Sequence, residues 1–381
     1  MKIVIISATY PLRGGIAHSA GLLYKELSIE HEVKLITFKR QYPNFLFPGK
    51  SQTEATETID KIPTEIILDS INPFNWTQTA ERILGFKPEL VIFKHWLPFF
   101  APCYGWIARK IKKKSSAKMI AVCHNIIPHE KRPGDKLLSK YFLKKIDYFI
   151  PLSDQVTKDL HLFIEKPVHK LLPLPVFSLF GDKVNKQEAK KILKLSDEKI
   201  LLFFGFIRDY KGLDILIEAF SIVRKKMDVK LIVAGEFYES EEKYINMISK
   251  HQLENSILLK KDFILTSDVK YYFSASDAVV LPYKSATQSG IVQVAVNFSM
   301  PVIATNVGGI GEVIEDGKTG FVVEKENPEK LAEAILRFYN EERENGFSSN
   351  MKSLKEKYSW KNFVKGMFEL IEGHNNPSKV I

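Results

Sequence analysis

Residues 282–323, PYKSATQSGIVQVAVNFSMPVIATNVGGIGEVIEDGKTGFVV, decide the fold of this chain. A polar loop at 285–290 precedes an apolar run without Gly or Pro at 291–298, and a β-branched run follows at 302–305. The order strand, polar loop, helix, strand and glycine loop predicts a βαβ unit. Its loops should lie at the sheet edge where open α/β sheets bind ligands.

The polar loop of this unit is a candidate phosphate site. Thr287 or Ser289 can cap the helix, and the N–H groups of its first turn can hold an anion. An ordinary capped helix in an α/β domain has the same pattern. Both interpretations stay open on this segment alone.

The rest of the chain repeats the alternation of strands and helices in two blocks. We predict buried strands in the first block at residues 2–8, 33–38, 90–93, 119–122 and 148–151. The second block has predicted strands at residues 200–204, 230–234, 256–259 and 278–281. Short β-branched runs separated by helices indicate parallel sheets. The sequence therefore predicts two doubly wound, Rossmann-like α/β domains, divided near the prolines of LLPLPV at 171–176 and followed by an amphipathic helix at 360–371.

Composition excludes several classes of protein. With 381 residues, 45% of them hydrophobic and 26% charged, the chain is typical of a globular protein large enough for two cores. No run approaches the roughly 18–20 apolar residues of a transmembrane helix. Cys103 and Cys123 provide neither a disulfide framework nor a metal site. We expect a cytoplasmic protein without a bound metal.

The net charge of +10 is concentrated in the first half of the chain. Residues 1–178 contain 26 Lys and Arg against 16 Asp and Glu, whereas residues 179–381 contain 29 of each. Residues 94–145 alone contain 13 basic and 2 acidic residues. This asymmetry predicts an anionic partner for the first domain, which could be a nucleic acid, a membrane surface or an acidic substrate.

Residues 136–145, KLLSKYFLKK, suggest which anionic partner that is. On a helix, the apolar side chains fall on one face and the lysines crowd its flank: Leu137, Leu138, Tyr141 and Phe142 against Lys136, Lys140 and Lys144. This pattern is typical of a basic amphipathic helix on an anionic bilayer. It is also typical of a surface helix packed on a core. The first interpretation predicts peripheral association of residues 110–145 with the inner face of the plasma membrane.

The loops that follow the first strand of each block contain candidate ligand-binding residues. Gly14 and Gly15 precede a predicted helix and would let the backbone approach a ligand there, although a simple turn needs no ligand. Arg208 and Lys211 lie three residues apart between two glycines. Arginine binds phosphate bidentately and lysine as a mobile charge, so this pair is a candidate for phosphate binding or simply a pair of solvated cations.

Histidines at strand ends are the remaining candidates. His124 directly follows the apolar strand residues 120–123 and should face the crevice of this α/β architecture. His95 has a similar position, whereas His129 and Glu130 lie farther along a loop. A structural role is the alternative for each histidine. None has cysteines or clustered carboxylates at the spacing of metal ligands, so no metal is expected.

Four segments resemble one enzyme family in order and in sequence. They are GFIRDYKGLDILIEAF (205–220), LIVAGE (231–236), SDAVVLPY (276–283) and PVIATNVGGIGEVI (301–314). The chain resembles the retaining GT-B glycosyltransferases of family 4, over nearly its whole length. The resemblance implies domains at 1–177 and 178–356, with a C-terminal helix within 357–381 that crosses back onto the first domain.

The resemblance also implies an activity and a set of site residues. A UDP- or GDP-linked sugar donor would bind the second domain, and a glycan or lipid-linked acceptor would bind the first domain. No cofactor would be needed. Arg208 and Lys211 match the pair that neutralises the donor diphosphate, and His124 matches a histidine near the reaction centre. The matching donor-binding residues are Gly14, Gly15, Glu236, Phe263, Ile264, Thr287, Gln288, Ser289, Gly290 and Glu312.

One departure from the family pattern bears on the sugar and ribose contacts. The family usually has two glutamates eight positions apart before the proline equivalent to Pro301. Ala286 and Val294 occupy those positions here, and Gln293 is at best a substitute. The departure identifies a subgroup of the family that lacks the glutamate pair, or a catalytically inactive partner subunit.

Two further alternatives have distinct expectations. A nucleotide-sugar epimerase would not need a basic acceptor domain, and it would not release nucleoside diphosphate when acceptor is added. A nucleic-acid-binding protein would interleave its charge with stacking aromatic residues, and the basic window does not. We therefore expect a hexosyltransferase of polysaccharide biosynthesis, without a nucleic-acid partner.

Overall fold

The computed structural model describes residues 1–43, 51–54, 62–128 and 132–375. The first sheet has six parallel strands in the order β3-β2-β1-β4-β5-β6. In chain order they are β1 (Lys2–Ile6), β2 (Glu32–Arg40), β3 (Thr64–Asp69), β4 (Leu90–His95), β5 (Lys118–Cys123) and β6 (Tyr148–Pro151). The strand order reverses between β1 and β4, which creates a crevice at their carboxyl ends.

The second sheet repeats this architecture with the order β12-β11-β10-β7-β8-β9, again all parallel. Its strands are β7 (Ile200–Phe204), β8 (Lys230–Ala234), β9 (Ile257–Lys260), β10 (Ala278–Leu281), β11 (Val302–Thr305) and β12 (Gly320–Val323). The two sheets confirm the predicted fold class of two doubly wound Rossmann-like domains.

Helices connect the parallel strands and cover the sheets. Those of the first domain are α1 (Gly15–Leu27), α2 (Pro73–Phe86), α3 (Ala101–Lys114), α4 (Asp135–Leu143) and α5 (Asp154–His161). Those that follow are α6 (Lys186–Ile192), α7 (Leu213–Arg224), α8 (Glu242–Lys250), α9 (Val269–Ala275), α10 (Gly290–Asn297), α11 (Ile310–Val313), α12 (Pro328–Asn340), α13 (Glu344–Lys357) and α14 (Trp360–Asn375). Strands covered on both faces are apolar throughout, as β7 and β10 are.

The connection between the domains is fixed by the start of α14. Val176 lies between the sheets, and its backbone N–H donates to the carbonyl of Tyr358 at 2.9 Å. Its carbonyl accepts from the indole Nε1 of Trp360 at 3.0 Å. From there α14 packs against α1, and Lys170 pairs with Glu369 at 2.5 Å. The C-terminal helix therefore contacts the first domain.

Candidate active site

One cavity of about 320 Å³ lies between the domains, at segments that follow the carboxyl ends of β1, β5, β7, β8, β9 and β10. Most residues predicted for the site line this cavity, although they come from six separate loops. They are Gly14, Gly15, His124, Lys211, Glu236, Phe263, Ile264, Thr287, Gln288, Ser289 and Gly290. Arg208 and Glu312 do not line it.

Lys211 is held in the cavity wall by a tight turn. Residues Asp209–Lys211 form a 3-10 turn that ends at Gly212, whose φ is +70°. A Cβ on Gly212 would lie 2.0 Å from the carbonyl oxygen of Pro282, so only glycine fits there. Lys211 itself is 8% exposed. Burial, and secondarily the charge of Arg208, lower the pKa of Lys211 to about 7.

The Lys211 amine lies beside the first turn of α10. A Cβ placed on Gly205 would lie 3.1 Å from Lys211 Nζ and 3.3 Å from Ile291 Cδ1, so the two side chains are close neighbours. Ile291 is the second residue of α10. Lys211 and the first two residues of α10, Gly290 and Ile291, thus line the same cavity. A cation together with a helix N-terminus is a combination that binds anions.

The predicted capping of α10 is wrong. Ser289 occupies the N-cap position, but its side chain makes no capping hydrogen bond. The hydroxyl of Thr287 is hydrogen-bonded to Asn125 of the first domain instead. The sequence could not show this competition, because Asn125 is 162 residues away. No side-chain cap satisfies the N–H groups of the first turn of α10, so they can bind a ligand.

His124 connects the two domains at the cavity wall. Its Nδ1 lies 2.8 Å from the amide Nε2 of Gln288, which donates to it. Nε2 of His124 has no hydrogen-bond partner among the described residues, and the residue is 3% exposed. Burial, with smaller effects from the charges of Lys94 and His95, holds the pKa of His124 well below its usual range. The ring is therefore neutral, and its Nε2–H is directed by the bond at Nδ1.

Arg208 takes a different position from Lys211. Its guanidinium carbon lies 5.0 Å from the ring centre of Tyr238, outside the cavity lining. Its charge reaches Lys211, whose pKa it lowers. The two cations are thus coupled electrostatically, but they do not lie side by side in the cavity lining.

Arg13 is a residue that the sequence analysis missed. It precedes Gly14 in the first domain, yet its Nη2 lies 2.7 Å from Oε2 of Glu236 in the second. Its guanidinium carbon is 4.7 Å from the ring centre of Phe263 and 5.9 Å from that of Phe206. Its position next to a glycine pair was the only available signal, because its partner lies in the other domain.

Glu312 and His95 lie outside the cavity lining. The Glu312 carboxylate accepts the backbone N–H of Asp154, at the start of α5, at 3.2 Å. Burial raises the pKa of Glu312. His95 is fully buried with its ring 5.1 Å from that of Phe142, and burial lowers its pKa to about 4, which favours its structural interpretation. His129 and Glu130 lie outside the described residues.

The predicted basic amphipathic helix is α4, and most of its apolar face is not available to a bilayer. Phe142 is fully buried and Leu138 packs against the same core. The ring of Tyr141 lies against Gly105 of α3, so closely that a Cβ there would be 2.3 Å from it. Only Leu137 of the four is strongly exposed, at 73%. Core packing therefore uses the face that the membrane interpretation assigned to lipid.

Three further properties of the described ranges concern metal ions, membranes and thiols. No group of three or more His, Cys, Asp or Glu side chains there could hold a metal ion. None of the helices in these ranges is both long and apolar enough to cross a membrane. Cys103 and Cys123 are buried free thiols, and burial raises the pKa of each.

Sequence similarity to known proteins covers both domains of the chain. Residues 184–373 match the family model of the Glycosyl transferases group 1. An uncharacterized glycosyltransferase of Methanocaldococcus jannaschii is 26% identical over 380 residues, which are 98% of this chain and 98% of that protein. The similarity to this relative therefore includes both domains.

Solved structures share the complete fold. Sucrose-phosphate synthase from Thermosynechococcus elongatus superposes with a TM-score of 0.76 at 17% identity, over 99% of this chain and 100% of that one. HepE from Anabaena, solved in complex with UDP, gives a TM-score of 0.74 at 15% identity, over 98% and 100%. The same Anabaena protein in complex with UDP-glucose gives 0.70 at 16% identity, over 98% and 99%. The family match, the full-length relative and the two facing sheets together show that the chain belongs to the group 1 glycosyl transferases and has the GT-B fold.

Proposed function

We propose that this protein transfers a hexose-type sugar from a UDP- or GDP-linked donor to a glycan or lipid-linked acceptor, with retention at the anomeric carbon and without a metal or cofactor. The observation that carries the proposal is the position of Lys211. Its buried amine lies beside the N-terminus of α10, in a cavity that both domains line. The leaving group of such a transfer is a nucleoside diphosphate, and this is the charge that the two groups would stabilise.

The electrostatics of the cavity support a diphosphate in this position. Desolvation disfavours the charged form of Lys211, and a bound dianion would restore it, so that the ammonium and the ligand stabilise each other. The first-turn N–H groups of α10 add fixed donors that need no reorganisation. Supporting the nucleotide assignment, the Anabaena neighbour of the same fold binds UDP and UDP-glucose.

Within a retaining transfer, the lining residues argue against a covalent glycosyl-enzyme intermediate. Glu236 is the single carboxylate among the described lining residues, and it is paired with Arg13. A double displacement needs a free carboxylate nucleophile opposite the leaving group. We therefore propose that the acceptor attacks from the face on which the diphosphate leaves, with His124 beside the reacting carbon.

Binding of nucleoside diphosphates tests this proposal first. Calorimetric titration with UDP and GDP, in buffer containing EDTA, should show saturable binding of one of them and much weaker binding of the monophosphate. Mass spectrometry of a reaction with pooled UDP- and GDP-sugars then identifies the product. Release of nucleoside diphosphate only when an acceptor is present distinguishes transfer from epimerisation. Absence of binding by both diphosphates would contradict the proposal.

One observation favours a second candidate, a non-catalytic partner subunit. Val294 lines the cavity and is 2% exposed, at a position where the family pattern has a glutamate. A donor site that retained nucleotide binding but had lost sugar contacts would present such an apolar wall. Tight UDP or GDP binding without turnover of any nucleotide sugar would support this candidate.

The charge of the first domain bears on the acceptor. Lys136, Lys140 and Lys144 are exposed around α4, and Leu137 projects beside them. We propose that this surface brings the enzyme to an anionic membrane that holds a lipid-linked acceptor, at the cytoplasmic face. Because core packing uses the rest of the apolar face of α4, the attachment would be mainly electrostatic and reversible.

A further inference from the structure

We propose that the ion pair of Arg13 and Glu236 recognises the ribose of the donor. Glu236 accepts hydrogen bonds from the ribose hydroxyls, and Arg13 holds this carboxylate from the opposite domain. The inference rests on the proposed function, because it assigns one contact of the same donor site. It gives Arg13 a role as a positioning residue.

Glu236 is placed to contact a nucleoside. It follows the carboxyl end of β8 by two residues, and its side chain is 2% exposed in the cavity wall. Phe263 and Ile264, predicted to hold the base, line the same cavity from the loop after the adjacent strand β9. A ligand whose base lies at that loop and whose diphosphate lies at Lys211 has its ribose between the two.

Chemistry distinguishes the ribose from the other parts of the donor. An ionised carboxylate only accepts hydrogen bonds, and hydrogen bonds to charged groups are the stronger ones. The ribose diol offers two donors, whereas the phosphates offer only acceptors and would be repelled. Val294 provides no acceptor on the α10 side of the cavity. Glu236 is therefore the lining carboxylate that can accept hydrogen bonds from the diol.

The guanidinium of Arg13 lies against this carboxylate from the opposite domain as an ion pair. Its Nη2 lies 2.7 Å from Glu236 Oε2, and its side chain is 7% exposed. Its guanidinium also lies 4.7 Å from the Phe263 ring centre, so one planar group contacts both a base-site ring and the carboxylate. Because Arg13 belongs to the first domain, the ribose contact is complete only when the domains are together.

A 2′-deoxy ligand tests the assignment. Whichever of UDP or GDP binds the wild type, its 2′-deoxy form should bind about 10- to 100-fold more weakly, the range for a hydrogen bond to a charged group. In Glu236→Gln this preference should fall to roughly threefold, and Arg13→Ala should lower it in the same direction. The double variant should match Glu236→Gln alone, because Arg13 acts through Glu236.

Glu54→Gln is the matched control. Glu54 is another buried carboxylate between the domains, 4% exposed, and it accepts from the backbone N–H and the hydroxyl of Thr266, both at 3.1 Å. It should keep the wild-type preference for ribose. An equal loss in Glu54→Gln would overturn the role of Arg13, since general loosening of the domains would then explain it. An unchanged preference in Glu236→Gln would overturn the ribose assignment while nucleotide binding stands, whereas failure of UDP and GDP to bind the wild type would overturn the proposed function itself.

Discussion

The amide of Gln288 donates to Nδ1 of His124 across the cleft, over 2.8 Å. A neutral imidazole that accepts at Nδ1 has its proton on Nε2, so Gln288 selects the tautomer of a histidine in the cavity wall. Gln288 belongs to the polar loop at 285–290. The family pattern has a glutamate in this loop, at the position of Ala286. A neutral amide in the second domain thus determines which way a first-domain histidine donates.

We expect Gln288→Ala to lower kcat roughly 3- to 10-fold, because one neutral hydrogen bond contributes about 0.5–1.5 kcal/mol. The donor KM should change little, since the lost bond orients His124 and does not contact the nucleotide. Steady-state kinetics with the donor found in the nucleotide screen measures both constants. A variant with unchanged kcat and a raised KM would show that Gln288 binds the donor directly.

Lys211→Ala should remove about 2–4 kcal/mol of transition-state stabilisation, the scale for losing one donor to a developing anion. Arg208→Ala should cost less, because Arg208 lies over Tyr238 and outside the cavity lining of the ligand-free protein. The ratio kcat/KM for each variant measures these losses. Wild-type turnover in Lys211→Ala would refute its assignment to the diphosphate.

Lys284→Ala is the control for Lys211. Lys284 is a nearby lysine whose amine pairs with Asp209 and Asp214 at 3.0 and 2.8 Å and does not line the cavity. Removing it deletes the same charge from a neighbouring loop, because the backbone N–H of Lys284 donates to the carbonyl of Tyr210. Its kcat/KM should stay close to wild type, and a loss as large as that of Lys211→Ala would point to a general electrostatic effect.

The sequence was sufficient for the fold, and most of the candidate site residues that it indicated line one cavity. Apolar runs such as ILLFF at β7 and AVVL at β10 predict strands without ambiguity, since both faces of each strand are covered. The strand β3 was missed because its sequence, TEIILD, begins and ends with polar residues. It lies at the edge of its sheet, where its residues range from buried to exposed. The helix indicated by the apolar run at 291–298 is α10, Gly290–Asn297, displaced by one residue.

Contacts between the domains could not be predicted from the sequence. Arg13 with Glu236, His124 with Gln288 and Asn125 with Thr287 each join residues more than 150 positions apart. No local pattern specifies such pairs, because they depend on how two independently patterned units face each other. The sequence left the role of α4 open for a related reason: periodicity shows that a helix has an apolar face but not whether α3 or a bilayer covers it.

Lys94 should make the stability of the protein depend on pH. It is 1% exposed and its Nζ donates to the hydroxyl of Ser19, and burial lowers its pKa to about 7. In the unfolded chain the lysine pKa is about 10.4. Between these values the unfolded state binds more protons, so the free energy of unfolding rises with pH and the contribution of Lys94 is smallest below pH 7.

Lys94→Met should therefore stabilise the protein near pH 7 by a few kcal/mol, on the order of 1.4 kcal/mol for each unit of pKa shift relieved. It should also reduce the rise in the free energy of unfolding between pH 7 and pH 9. Because the pKa of Lys211 is lowered in a similar way, part of this pH dependence should remain. Urea unfolding at several pH values measures both effects. Lys318→Met, at a lysine whose side chain is 71% exposed, should leave the curve unchanged. A less stable Lys94→Met with the original slope would contradict this account.

Val294→Glu should not improve activity. Val294 is 2% exposed on α10, so a carboxylate there is desolvated and destabilises the fold unless it finds a partner. It would also lie in the same cavity as Glu236 and repel it. We expect a lowered melting temperature and no gain in donor affinity, with Val294→Gln as the uncharged control. A large gain in affinity would instead show that this chain has lost a carboxylate that the site still accommodates.

The wild-type protein should sediment with anionic vesicles at low salt and not with neutral ones. Each basic residue near an anionic surface contributes about 1 kcal/mol, so the exposed lysines around α4 together give a reversible attachment. Changing Lys136, Lys140 and Lys144 to Glu should abolish it, and raising the salt concentration should release the wild type because such attraction is screened. Leu137→Ala should have a smaller effect, since one side chain inserts little area.

The control for this charge reversal lies in the second domain. Lys318, Lys325 and Lys330 have side chains that are 71%, 53% and 58% exposed, and changing them to Glu alters the net charge by the same amount. If α4 forms the attachment surface, that variant should still bind anionic vesicles, because binding then depends on where the lysines lie and not on the net charge of the protein. Equal loss of binding in both variants would show that net charge alone accounts for vesicle binding. If the wild type ignores anionic vesicles at low salt, the membrane proposal is wrong, and the basic first domain is better matched to an acidic glycan as acceptor.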